Sequence, residues 1–358
     1  MKRYCIVEKQ LLEHHAGAKA RTDIAAILIS DGWSALSVQP IRKRENVSYI
    51  ERLKMCVCVL KDWSSIARKM LLPDDEQKCL LIQYPLDMYP KVAMLSLRYI
   101  KKIHDNGVKI GFLIHDIESL RTDNENEKKW YKESESEFFK LADFIIAHNQ
   151  KMIGYLENQG VQCKMYAIEL FDYLLDESLE FDDNDSDGIV IAGNLSKDKA
   201  GYLYKIKDLD TKFVLYGPNV LVDELGNNMV YKGSFPPEQL PGVISGKFGL
   251  VWDGNSTDKC SGSFGEYMKY NNPHKTSLYL ACNIPVIVWK KAAIAEFVKK
   301  NNVGICIDDL SEIQSIITAM SENEYAEMKH NARKIGAKLR KGEMFKKILR
   351  NKNFSNAC

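Results

Sequence analysis

The 358-residue sequence predicts an α/β protein of two doubly wound domains, and three observations carry that expectation. The chain is longer than one typical domain, and 45% hydrophobic residues supply material for two cores. Short apolar runs alternate with amphipathic ones, which is the order of a βαβ series with parallel strands. An acidic, turn-prone run at 172–187, DYLLDESLEFDDNDSD, then interrupts the alternation before it restarts.

In the first half, strands are expected at 4–7, 36–38, 79–83, 108–114 and 144–147, with helical patterns such as 49–72 between them. The second half places strands at 188–192, 212–216, 229–231, 248–252, 284–289 and 304–307. Residues 322–352 read as helical and increasingly basic. The expected domains are 1–175 and 188–335, with 336–358 a C-terminal helix that packs back on the first domain.

Fifty basic against forty-eight acidic residues leave a formal charge of +2, so the chain has no overall field for nucleic acid. Nine cysteines, an odd and scattered set, suit reduced thiols better than a disulfide framework. Cys56 and Cys58 form C-x-C inside a helical pattern and point to separate faces, which makes no metal site. Glu8 interrupts the first apolar run too early for a signal peptide, and no run reaches the roughly eighteen apolar residues that span a bilayer. A cytoplasmic protein is expected. The basic C-terminal helix offers either a solvated face or a contact with the inner face of an anionic membrane.

The most informative stretch is 248–305, where two apolar strand-like runs each lead into a helix start marked by lysine. In Asn271-Asn272-Pro273-His274-Lys275, Asn272 suits an N-cap, Pro273 the first helical position and Lys275 the first turn. A cation there opposes the helix macrodipole by about 0.3–1 kcal/mol, so it makes sense if an anion is bound beside it. The alternative is a lysine pointing into water. Residues 284–289 repeat the pattern, with Lys290, Lys291, Ala292 and Ala293 opening the helix that contains Ile294. At the carboxyl edge of a parallel sheet the two openings could converge on one diphosphate.

Other strand exits carry candidate groups. After the first strand, Gly17 permits close approach at a helix entrance, beside His14 and His15, which either line a cleft or sit in a solvated loop. The loop lacks G-x-G-x-x-G, which disfavours a nicotinamide or flavin enzyme. His115, Asp116, Glu118 and Arg121 follow the strand at 108–114: Asp116 is a candidate general base or a turn cap, and Glu118 and Arg121 are spaced to pair. Asn194 and Lys197 follow the strand at 188–192, while Tyr216, Gly217 and Phe235 could receive a flat base or merely pack. The Gly- and Ser-rich segment 255–269 reads as a mobile loop, with Tyr267 and Tyr270 able either to stack on a ligand or to pack.

The segments FGLVW, NNPHKTSLYLA, IPVIVW and HDIESLR resemble bacterial glucosyl- and galactofuranosyltransferases of surface-glycan and glycoprotein assembly. The resemblance spans nearly the whole chain and is strongest over 246–304. It implies the GT-B architecture, two Rossmann-like doubly wound domains facing a cleft, and a UDP-sugar donor used without a catalytic metal or other cofactor. It further implies that Asn194, Lys197 and Lys275 hold the donor diphosphate; from the strand exits and helix starts, Tyr216, Gly217, Asn272, Ala293 and Ile294 are expected around them. Gly17, His115, Tyr267 and Tyr270 would line the acceptor side. Family members resemble inverting enzymes, for which the base would be Asp116, with Glu118 and His15 behind it. Lys197 stands where the family often has arginine, and lysine offers a point charge rather than a bidentate fork. The expected activity is transfer of galactofuranose or glucose to a glycan, glycoprotein or lipid-linked oligosaccharide. The alternatives are a nucleotide-sugar epimerase of the same architecture and a non-catalytic partner subunit. An apolar patch on the first-domain helices would suit a homo-oligomer.

Overall fold

The structure is a computed structural model that describes residues 1–9, 16–39, 48–86, 90–176, 179, 181 and 188–358. These sort into two compact units, one within Met1–Leu12, Ile24–Ile168 and Phe345–Cys358, the other within Glu13–Asp23 and Glu169–Met344.

The first unit is built on six parallel strands, β1 (Lys2–Glu8), β2 (Ser34–Val38), β3 (Lys78–Tyr84), β4 (Lys109–Ile114), β5 (Phe144–Ala147) and β6 (Lys164–Ala167), in the order β2-β1-β3-β4-β5-β6. All seven residues of β3 are buried, as a central strand covered on both faces requires. Its helices are α1 (Ala16–Ser30), from Ile24 onward, α2 (Tyr49–Met70), α3 (Pro90–Asp105), α4 (Glu125–Phe139) and α5 (Gln150–Asn158). A reciprocal capping box between Ser48 and Glu51 starts α2. At its other end, buried Lys78 donates to the carbonyls of Met70 (3.0 Å) and Leu72 (2.6 Å). Tyr84, Phe112, Phe138 and Phe139 meet edge to face or tilted beneath the carboxyl edge of the sheet.

In the second unit, β7 (Ile189–Ala192), β8 (Phe213–Tyr216), β9 (Met229–Tyr231), β10 (Phe248–Val251), β11 (Val286–Trp289) and β12 (Gly304–Ile307) form a parallel sheet in the order β12-β11-β10-β7-β8-β9. The chain runs outward from β7 to β9, then returns to the other side of β7 as β10. This is the Rossmann order, and the reversal between β7 and β10 is where such sheets open a ligand crevice. The helices are α6 (Lys197–Ala200), α7 (Gly262–Tyr267), α8 (His274–Ala281), α9 (Ile294–Asn301), α10 (Glu312–Ala319) and α11 (Glu322–Arg340). Fully buried Tyr279 of α8 packs its ring where a Cβ on Gly249 would come within 2.3 Å, so β10 admits only glycine there. Its hydroxyl accepts the Ala192 N–H at 2.8 Å and approaches the Leu250 carbonyl at 3.4 Å, pinning β7 to β10 at the reversal.

The chain ends in α12 (Glu343–Leu349) and α13 (Lys352–Ser355), whose Phe354 packs on Phe144 and Tyr166 of the first unit at 5.2 and 5.3 Å. The single helix expected over 322–352 is therefore divided, because Gly342 at φ +74° turns the backbone between α11 and α12. The acidic connection also starts later than its composition suggested. Asp172 and Tyr173 are core residues of the second unit: Tyr173 takes the Leu339 carbonyl through its N–H, and Asp172 accepts from the Met344 N–H. Strand β6, KMYA, was not expected, being short and half exposed. Among the described residues no helix is long and apolar enough to cross a membrane.

Candidate active site

At the exits of β7 and β8 the backbones touch. Gly217 sits at φ +143°, and a Cβ on it would lie 1.8 Å from the Gly193 carbonyl oxygen, a position that only glycine can occupy. The Asn194 side-chain oxygen accepts from the Ser196 N–H (3.1 Å) and the Asn219 amide (2.9 Å), which shapes the turn into α6. Lys197 projects outward, half exposed, and pairs with Glu224 at 2.7 Å. Tyr216 is 3% exposed, with its hydroxyl on the Val243 carbonyl, so it serves the core rather than an open base-binding surface.

The start of α8 differs from the expectation. Pro273, extended at ψ 130°, is the N-cap and His274 the first helical residue. Asn272 does not cap; it is buried, and its amide donates to the Glu169 carbonyl at 2.6 Å. Lys275 remains in the first turn, where its ammonium donates to the Trp252 carbonyl and to Asp253 Oδ1, each at 2.7 Å. The anion that offsets this cation at a helix start is thus a carboxylate of the same fold, at the exit of β10 and so beside the strand-order reversal. Thr276 Oγ1, fully buried, and Asn271 Oδ1 find no hydrogen-bond partner among the described residues.

The polar groups at the second lysine-marked helix start have partners of their own. Lys290 pairs with Asp308 at 2.8 Å at the exit of β12, the Ala293 N–H is taken by the Met268 carbonyl, and Ile294 is buried. Segment 255–269 is likewise not an open loop throughout. It contains α7, and Cys260, Tyr267 and Met268 are core residues, because the apolar residues of SFGEYM recur at helical spacing and pack inward. Tyr270 is half-buried.

His14 and His15 lie outside the described residues, and Gly17 is the second residue of α1. Further along this helix, in the second unit, buried Lys19 bonds to Asp23 and to the Leu174 carbonyl (2.7 Å), with its ammonium 4.9 Å from the centre of the Tyr173 ring. Asp23 accepts in turn from the Leu174 N–H. Burial pushes the Asp23 carboxyl up to about 6 against the pull of Lys19. Tyr173 stacks on His274 at 5.1 Å, so this buried pair braces the start of α8.

In the first unit, the turn after β4 brings together the residues that the sequence grouped there. Arg121 Nη1 contacts Asp116 Oδ2 and Glu118 Oε1, both at 2.8 Å, so one guanidinium orients both carboxylates. His115 Nε2 meets Gln83 Oε1 at 2.7 Å. Beneath the turn lies Glu135 of α4, which sequence reasoning missed although it shares a helical face with Phe138. Its carboxylate accepts the N–H and the hydroxyl of Ser119. Burial raises its pKa to about 7, and the Ser119 bonds oppose that rise. His148, also buried, is held neutral, its pKa lowered to about 4 by burial. Asp253 was missed as well; the signal was an acid directly after an apolar run in FGLVWDG.

A profile of the glucosyltransferase 3-like N-terminal domain matches residues 4–170, and the corresponding C-terminal domain profile matches 189–352. Over 244 residues the chain is 39% identical to the beta-1,6-galactofuranosyltransferase WbbI of Escherichia coli (strain K12), covering 66% of this chain and 69% of that one. Among solved structures it resembles a sucrose-phosphate synthase from Thermosynechococcus elongatus, with TM-score 0.62, 14% identity and 97% and 99% of the two chains covered. It also resembles an alpha-glucosyltransferase in complex with UDP, with TM-score 0.57, 13% identity and 100% of both chains covered. At such identities the structural likeness bears on the fold alone, the two-domain GT-B fold of parallel-sheet units.

Proposed function

This chain belongs to the glucosyltransferase 3-like family of glycosyltransferases, and from that premise we propose that it moves a hexosyl group from a UDP-sugar to a glycan acceptor. The observation that carries the donor assignment is Lys275: a cation in the first turn of an eight-residue helix, at the exit of the strand next to the order reversal. UDP is the nucleotide to test first because a relative of the same fold was solved with it. Galactofuranose is the sugar to test first because the relative at 39% identity is named for it; glucose follows from the family description.

In the proposed reaction, the donor diphosphate lies against Lys275 in the first turn of α8, with Asn194 shaping the β7 side. Charge grows on the leaving UDP as the glycosidic bond breaks, and donors already aimed at it stabilise that charge without reorganising. Lys197 takes part only by exchanging Glu224 for phosphate. Asp116, oriented by Arg121, removes the acceptor proton in a single displacement that inverts the anomeric centre, and no metal is required. The acceptor is a glycan, free or carried on a protein or a lipid.

Calorimetric titration with UDP, ADP, GDP and NAD in the presence of a chelator tests the reading. Preference for UDP is expected. Equal affinities would overturn the donor assignment, and loss of UDP binding on chelation would overturn only its metal-free part.

A further inference from the structure

Asp253 lies two residues past β10 and is 8% exposed, and the loop that carries it is clamped on several sides. The Gly254 N–H donates to the Lys199 carbonyl at 2.7 Å, and the Gly254 carbonyl accepts from Tyr202 at 3.1 Å. Gly254 is at φ +110°, where a Cβ would fall 2.2 Å from the Ser261 carbonyl oxygen. A Cβ on Gly265 would likewise lie 2.9 Å from the Asp253 carbonyl oxygen. Asp253 therefore stands on a fixed backbone with a one-carbon stem, whereas its partner Lys275 has a four-carbon stem able to move its ammonium by rotamer changes.

An arriving diphosphate must compete with that carboxylate for one ammonium. We propose that Asp253 is a positioning residue that shares Lys275 with the donor diphosphate, aiming the ammonium at the crevice while keeping the spent nucleoside diphosphate from binding too tightly to leave. The proposal rests on the donor reading above. A terminal phosphate carries more charge than a sugar-linked one, so the carboxylate penalises product more than donor. This is the sense that favours turnover, since uniform tight binding of the nucleotide would not speed the reaction.

The test is calorimetric binding of UDP and of uridine to the wild-type chain and to Asp253→Asn, with melting temperature as the check of folding. Asparagine keeps an oxygen acceptor for Lys275 and removes the charge. UDP is expected to bind about tenfold more tightly to the variant, a close like-charge repulsion having been removed, while uridine, without phosphate, binds both alike. UDP affinity unchanged within twofold, or weaker, in a folded variant overturns the proposal and leaves the donor reading standing. A wild-type chain that binds no UDP overturns both. Should Asp253→Asn fail to fold, Lys275→Gln and the double variant Lys275→Gln/Asp253→Asn decide. Neutralising Asp253 should recover several-fold of the UDP affinity lost with Lys275, and a double variant no better than the single one rejects the idea.

Discussion

Glu135 accepts the backbone N–H of Ser119 at 2.9 Å and its hydroxyl at 2.6 Å, so one buried carboxylate holds the turn that carries Asp116 and Glu118. The groups facing it are Glu118 and Tyr84, Tyr131 and Lys132. Its pKa is raised on folding from the ordinary 4.5 to about 7. The folded state thus retains a proton that the unfolded chain loses. The associated stability is complete below pH 4.5 and is lost as pH rises through 7, on the order of 3 kcal/mol in all. Glu135→Gln keeps an oxygen to accept the Ser119 N–H, can turn its NH2 to donate to the Ser119 hydroxyl oxygen, and cannot ionise. Urea melts of the two chains from pH 4.5 to 8 should show wild-type stability falling relative to the variant. Parallel curves would mean that Glu135 does not titrate in that window.

His148 acts in the opposite sense. Burial lowers its pKa to about 4 from 6.5, so its contribution is present above pH 6.5 and is lost as pH falls through 4. His148→Gln should flatten the acid side of the wild-type stability curve by roughly 3 kcal/mol between those limits while lowering stability at neutral pH, where Nε2–H donates to the Ile114 carbonyl at 3.1 Å.

What was legible beforehand follows from how local each signal is. Phe144–Ala147, Met229–Tyr231 and Gly304–Ile307 were expected at the bounds the structure gives them, because each is a short apolar run ended by polar or glycine residues. The Glu118–Arg121 pair was legible for the same reason, since three residues set its distance on one turn. Asp253 was not. Its meaning depends on β10 lying beside β7, and strand order is not written in either strand. The role of Asn272 was misread because N-cap propensity is weak against tertiary demand: its amide satisfies a carbonyl 103 residues away, at Glu169. Nor could spacing reveal that Lys19 and Asp23 belong with Leu174.

Gly193 and Gly217 give a ranked prediction. Both have positive φ, +127° and +143°, but a Cβ on Gly193 would meet nothing within 4 Å, whereas on Gly217 it would collide with backbone. Gly193→Ala should cost about 1–3 kcal/mol of strain. Gly217→Ala must displace a strand exit as well and should cost more, or prevent folding. Chemical denaturation of the two variants checks the order, and an equal loss would mean that the contact between the two exits relaxes freely.

Removing one oxygen tests the pin between β7 and β10. Tyr279→Phe leaves the ring in place but strands the buried Ala192 N–H, which should cost about 1–3 kcal/mol. Because the bond lies at the strand-order reversal, UDP affinity should fall with it. A variant that loses stability while binding UDP as the wild type does would show that this edge of the crevice is not used.

The two lysine-marked helix starts make separable predictions about the donor. Lys275→Ala should weaken UDP binding by about ten- to a hundredfold, the worth of a charge-assisted contact. Lys290→Ala, whose ammonium pairs with Asp308 on the surface, should leave it within twofold. Proton removal separates from both. Asp116→Asn keeps an oxygen for Arg121 at the same place but no base, so turnover should fall by about 10²–10⁴-fold at saturating donor with UDP affinity unchanged. Glu118 shares that guanidinium, and Glu118→Gln is the control: if it abolishes turnover while Asp116→Asn does not, the base is the residue on the other side of Arg121.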